Sequence, residues 1–173
     1  MLPLANATGL GFRPELGTDL LTHQSSVDFI EVVAETCFTQ GSTRREARAL
    51  GEVWPVVPHG VKLSLGSAEG VDRDRARRLG VLARELRAPL ISEHAAFTRA
   101  GSCEIGHLTP VPRTQQAVDV IARNLTVVRR ELPDIPFLIE NPAWTLRWPD
   151  EVPGAVRIDA CTTASADATH EPP

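Results

Sequence analysis

Apolar and polar positions switch repeatedly between two periods along the chain. "TGLGFR" (8–13) reads as a short strand, and "VDFIEVVAE" (27–35), rich in β-branched residues, as a stronger one. In "STRREARALGEVW", Thr43 and Glu46 have the spacing of a capping box that announces a helix. "VVPHGVKLSL" (56–65) is the third strand, and the segment from Asp72 to Leu86 puts Ala76, Leu79, Ala83 and Leu86 on one helical face. "PLISEHAAF" (89–97) is the fourth strand. The strongest helix runs from Thr114 to Leu132, its face marked by Val118, Ile121, Leu125, Val128 and Leu132, and the fifth strand is "PFLIEN" (136–141). Between them "TRAGSCEIGHLTPVPR" (98–113) reads as a loop, and loops beyond ~12–15 residues in a compact domain are usually functional or disordered.

Strands alternating with helices imply an α/β fold with parallel pairing through right-handed crossovers. An open doubly wound sheet and a TIM-type (β/α) barrel compete. The open sheet is expected to carry a Gly-rich nucleotide turn, and "GSAEG" lacks the Lys-Ser/Thr of a P-loop. A barrel of eight units takes ~250 residues, so this chain holds about five of the eight. The stretch 151–173 contains no Leu, Phe, Trp or Met and ends in Ala, Thr, Asp and Pro. It is expected to be a disordered or frame-shifted tail behind a partial barrel domain spanning 1–150.

Composition narrows the function classes. The chain has 173 residues, 42% hydrophobic and 23% charged, enough for one core. A net charge of −4, with Lys62 the only lysine among 18 basic residues, gives no support to nucleic-acid binding. Cys37, Cys103 and Cys161 are too scattered for a disulfide framework or a CxxC zinc site. "MLPLANATGLGF" has neither a basic n-region nor a long apolar run, so no signal peptide, anchor or membrane span is expected, and the location is read as cytoplasmic. Asn124-Leu125-Thr126 matches a glycosylation sequon, but its helical setting makes it a chance match.

Parallel α/β folds build their sites at the C-terminal ends of strands. There the chain places Glu35, His59 with Lys62 beyond it, Glu93 and His94, and Glu140 with Asn141; His107 lies in the loop after strand four. Imidazoles and carboxylates without converging thiolates suit Zn, Mn or non-haem Fe. A lone strand histidine is more often structural, and Glu31 and Glu93 are candidates for pairing with Arg in the helix layer. Strand alternation sends Glu93 and His94 to opposite faces. Glu140, between an apolar run and a loop, is hard to explain as a surface charge, since burying it unpaired would cost several kcal/mol, and the constellation together favours a metal site.

The motifs "GLGFRPEL", "DFIEVVAET", "PHGVKLSLGSAE", "PLISEHAAFTRAG", "GHLTPVPRT" and "FLIENPAWTLRWP" together resemble, over roughly residues 8–150, the multinuclear non-haem iron-dependent oxidative enzymes, which include the methanobactin biosynthesis B-type enzymes. The resemblance implies a TIM-type barrel with two or three irons at its C-terminal rim. It also implies an oxidoreductase that uses O2 to modify residues, often Cys, of ribosomally made precursor peptides, with a partner protein presenting the peptide. On the matching positions His59, His94 and Glu140 are implied iron ligands. His107, where many members carry Asp, is a further implied ligand, and Glu35 would ligate or support a ligand. Lys62 and Asn141 are placed as supporting or substrate-facing residues at the same rim. The family continues after strand five with a helix and three more strands, and the expectation here is a truncated or frame-shifted chain whose site is incomplete. Two other readings stand beside this one: a divalent-metal sugar isomerase or endonuclease-IV-like enzyme on a related barrel, and a non-catalytic fragment or a subunit completed by another chain.

Overall fold

The computed structural model describes residues 4–132 and 134–142. Strands β1 (Gly9–Gly11), β2 (Phe29–Val33), β3 (Val56–Gly60), β4 (Ile91–His94) and β7 (Phe137–Glu140) form one parallel sheet in the order β1-β2-β3-β4-β7. Helices α1 (Gly17–Thr22), α2 (Ser42–Leu50), α3 (Arg73–Glu85) and α4 (Gln115–Arg129) fill the connections. The α/β class and the five parallel strands expected from the periodicity are therefore present.

Each strand has two unlike rows of side chains because successive Cβ atoms point to opposite faces. Ile30, Val56, Ile91 and Phe137 form one row and pack with Leu79 and Leu82 of α3 and Val128 of α4 in the main core. Full burial of such side chains is worth about 1.5–3 kcal/mol apiece. The register aligns the other row as well: Val33 with His59, His59 with Ser92, and His94 with Glu140. That row looks away from the helices over a cleft of about 430 Å3, whose lining includes Phe29, Glu31, Val57, Leu90, Ser92 and Leu138.

The helix ends show how local chemistry sets boundaries. Asp72 caps α3 by accepting from the N–H groups of Asp74 and Arg75, and Thr114 caps α4 by accepting from Ala117 N–H. The capping box at Thr43 and Glu46 does not form. Helix α2 starts two residues earlier than that box implies, at Ser42 behind Gly41, so Thr43 is already inside the first turn and no side chain caps the end. Arg44, in that first turn, is buried and reaches across to Glu85 of α3, which also pairs with Arg48.

Two stretches differ from their sequence-based expectation. The third strand ends at Gly60 rather than at residue 65, because Val61 and Lys62 turn their N–H groups to the Glu35 carboxylate. The stretch 98–113 is not a simple loop: β5 (Ala96–Ala100) and β6 (Cys103–Pro110) form an antiparallel hairpin. Its turn is Gly101-Ser102, where Gly101 has φ +58°, a conformation open to glycine. Helix α1, with Leu20 its buried residue, is too short to leave a readable stripe. Among the described residues no helix is long and apolar enough to cross a membrane. The tail assigned to 151–173 lies outside the described residues, and Cys161 with it.

Candidate metal centre

His59 ends the exposed-chemistry row of β3, one residue before Gly60 closes the strand; His94 closes β4, and Glu140 closes β7. Parallel pairing with aligned C-terminal ends brings the three side chains to one rim. One ligating atom from each lies within 4.8 Å of the others. His94 Nε2 is 3.8 Å from Glu140 Oε1, and the two imidazole rings stand edge to face with centroids 4.6 Å apart. Both histidines are buried, whereas the Glu140 side chain is 59% exposed, so the burial expected of it from the sequence is not found. The site is thus walled on the sheet side and open at β7.

The groups behind the histidines fix their orientation. Ser92, two residues before His94 and therefore on the same face of β4, places Oγ 2.8 Å from His59 Nδ1. That contact occupies Nδ1 and leaves Nε2 as the available ring nitrogen. Glu31 Oε2 lies 4.0 Å from the same Nδ1, on the helix-free face rather than in the helix layer. His94 Nδ1 is buried and has no hydrogen-bond partner; Glu93 Oε1, at 3.8 Å, stands beyond hydrogen-bond reach. The Glu93 carboxylate raises the His94 pKa above the usual imidazole value, burial opposes the rise, and Glu140 adds to it.

Glu93 faces the opposite side of β4, as alternation requires, and is 1% exposed. It does not pair with an arginine there. Its oxygens accept instead from the backbone N–H groups of Leu63, at 3.0 Å, and His94, at 2.8 Å. Glu35, in the helical turn after β2, accepts from Val61 and Lys62 N–H. Burial pushes the Glu35 carboxyl above its ordinary value, and those backbone donors pull it partly back. Glu35 and His107 are not part of the His59–His94–Glu140 group. His107 is exposed on β6, Lys62 is exposed beside Glu35, and Asn141 is exposed just past β7.

Several supporting residues carry little signal in the sequence. Ser92 is recognisable only once His94 is taken as a rim residue, through the i, i+2 spacing. Asn124, in the middle of α4, is 1% exposed and donates to the carbonyls of Leu65 and Ser67, both at 2.8 Å. It anchors the connection that follows His59, and its burial agrees with the sequon there being a chance match. Cys37 is fully buried, and burial pushes its thiol upward, while Cys103 lies exposed on the hairpin.

Two imidazoles and a carboxylate at this spacing could hold a divalent transition metal. Comparison with known proteins gives the set a context. Residues 7–156 match the family model described as RiPP precursor modification enzyme MbnB/TglH/ChrH. A UPF0276 protein of Streptomyces avermitilis is 39% identical over 155 residues, which cover 83% of this chain and 31% of the relative. UPF0276 proteins of Rhizorhabdus wittichii and Vibrio vulnificus are 38% and 31% identical, over 49% and 50% of their own lengths. The chain therefore spans about a third to a half of the curated relatives it matches.

Proposed function

We propose, from the premise that this chain belongs to the family of RiPP precursor modification enzymes MbnB/TglH/ChrH, that it carries part of an iron site for the O2-dependent oxidation of a residue, often Cys, in a ribosomally made peptide. The observation that carries this reading is the convergence of His59, His94 and Glu140 within 4.8 Å at the ends of three parallel strands. In this reading the sheet is one portion of a (β/α) barrel whose interior is the helix-free face. A partner protein presents the peptide.

The residues present fit a metal ion. His59 Nδ1 is held by Ser92, so its Nε2 is presented, and the nearest carboxylate oxygen to the buried His94 Nδ1 is Glu93 Oε1, at 3.8 Å. Iron held by His59, His94 and Glu140 would supply redox chemistry with O2 as co-substrate. The chain's own contribution is positioning. Ser92 occupies Nδ1 of His59 and so orients the ring, and Val57, Leu90 and Leu138 give the cleft on the helix-free face an apolar floor beside Glu31 and Ser92. The exposed Glu140 leaves the β7 side open to a peptide. Lys62 and Asn141, both exposed, would serve the substrate or support the ligands, and Glu35 holds the turn that contains Lys62. His107, exposed on the hairpin, lies outside the group of three.

Anaerobic loading with ferrous iron followed by metal analysis tests the site. At least one iron per chain, lost in His59→Ala and Glu140→Ala, is the expected result. Less than one, unchanged by either substitution, overturns it. Metal-dependent turnover of a sugar or of abasic DNA without O2 consumption would assign the chain to the rival enzyme classes.

A further inference from the structure

Glu93 occupies a position that neither a surface charge nor a core residue explains. It is a carboxylate at 1% exposure on the helix side of β4, against α3. Its two oxygens reach different segments: Oε2 accepts from Leu63 N–H in the connection after His59, and Oε1 accepts from the N–H of His94 itself. The same Oε1 is the carboxylate oxygen that faces His94 Nδ1, at 3.8 Å. The space it fills is made by a glycine. A Cβ on Gly60, next to His59, would lie 2.6 Å from Glu93 Oε2 and 3.6 Å from Leu79 Cδ2. Gly60 is also paired directly with Glu93 in the sheet. The residue after one histidine is therefore small so that the residue before the other can pass beneath it.

We infer that Glu93 is a positioning residue that ties the two histidines of the metal site into one unit. It clamps the backbone of His94 and the connection behind His59, and it faces His94 Nδ1, which directs Nε2 toward His59 and Glu140. Leaving a buried carboxylate with only two backbone donors is costly. A polar residue kept here for packing alone would be replaced at lower cost by an apolar one of similar volume. Orientation of a ligating imidazole is a role an apolar side chain cannot take. The inference rests on the metal-site reading above.

The test uses the full chain and Co(II) alone as the probe, through its dissociation constant and its visible ligand-field spectrum. Glu93→Gln keeps the shape but has only one acceptor oxygen, and Gly60→Ala forces the carboxylate aside without removing it. Each is compared with His94→Ala at a temperature where circular dichroism shows the variant folded. Both Glu93→Gln and Gly60→Ala are expected to weaken Co(II) binding about 10–100-fold and to shift the ligand-field bands. Unchanged affinity and spectrum in Glu93→Gln, with binding lost in His94→Ala, overturns the positioning role and leaves the metal site standing. Unchanged binding in His94→Ala overturns the metal site instead. In the unaltered chain, the 15N spectrum of the His94 ring gives a readout that needs no variant. The expected neutral form carries its proton on Nδ1, and a proton on Nε2 contradicts the inference.

Discussion

Ser92 Oγ stands 2.8 Å from His59 Nδ1, joining two adjacent parallel strands through their side chains at the rim of the sheet. The register pairs these two residues directly, so the contact needs no loop to make it. It fixes which nitrogen of His59 is free.

From that contact, Ser92→Ala should weaken metal binding about tenfold while leaving the fold in place. The hydrogen bond itself contributes only about 1 kcal/mol to stability. Competition of ferrous iron or Co(II) against a chelator measures the first effect, and urea denaturation the second. Full affinity in Ser92→Ala would show that His59 is oriented by other means.

The Arg44–Glu85–Arg48 cluster predicts an acid-sensitive link between α2 and α3. The two guanidinium groups, Arg44 first, pull the Glu85 pKa from 4.5 to about 2 against the effect of burial. A folded pKa below the unfolded one gives stability that is complete above about pH 4.5 and is lost as pH falls toward about 2. Glu85 is one-fifth exposed, so solvent screening reduces the effect to about 1–2 kcal/mol. Glu85→Gln should lose that amount at neutral pH, and its stability should fall less than the parent's between pH 5 and 2.5. Denaturant midpoints across that range give the comparison.

Asn124→Leu should destabilise by about 2–4 kcal/mol. It removes two donors from the Leu65 and Ser67 carbonyls and leaves those acceptors unpaired beneath α4. Because these carbonyls belong to the connection after His59, amide exchange around 61–67 should quicken more than exchange in β2. Uniform quickening across the sheet would contradict a local anchoring role.

The periodicity of the chain was enough to identify β2, β3, β4, β7, α3 and α4, because each carries a face of Ile, Leu, Val or Phe that the core absorbs, whereas β1 is exposed throughout and α2 buries Arg44 and Ala47. It failed where backbone geometry outweighs side-chain pattern. The β5–β6 hairpin is polar and exposed along most of β6, so its only local signal is Gly101-Ser102 at the turn. The capping box at Thr43 matched a spacing but not a boundary, since Gly41 already sets the helix start. At the site, His59, His94 and Glu140 were legible because each ends a strand, and aligned parallel strands bring such ends together. Glu93 was not, since a carboxylate between Ser92 and His94 looks the same in sequence whether it meets an arginine or two backbone N–H groups. His107, expected among the ligands by resemblance, is exposed on β6 and outside the group of three.

The most direct test of the central claim is the iron content of the chain loaded with ferrous iron without oxygen, measured beside His59→Ala, His94→Ala and Glu140→Ala. At least one iron per chain that falls sharply in all three variants is the predicted result, since the three donors lie within 4.8 Å of one another. Iron below one per chain and indifferent to every one of the three substitutions would contradict it.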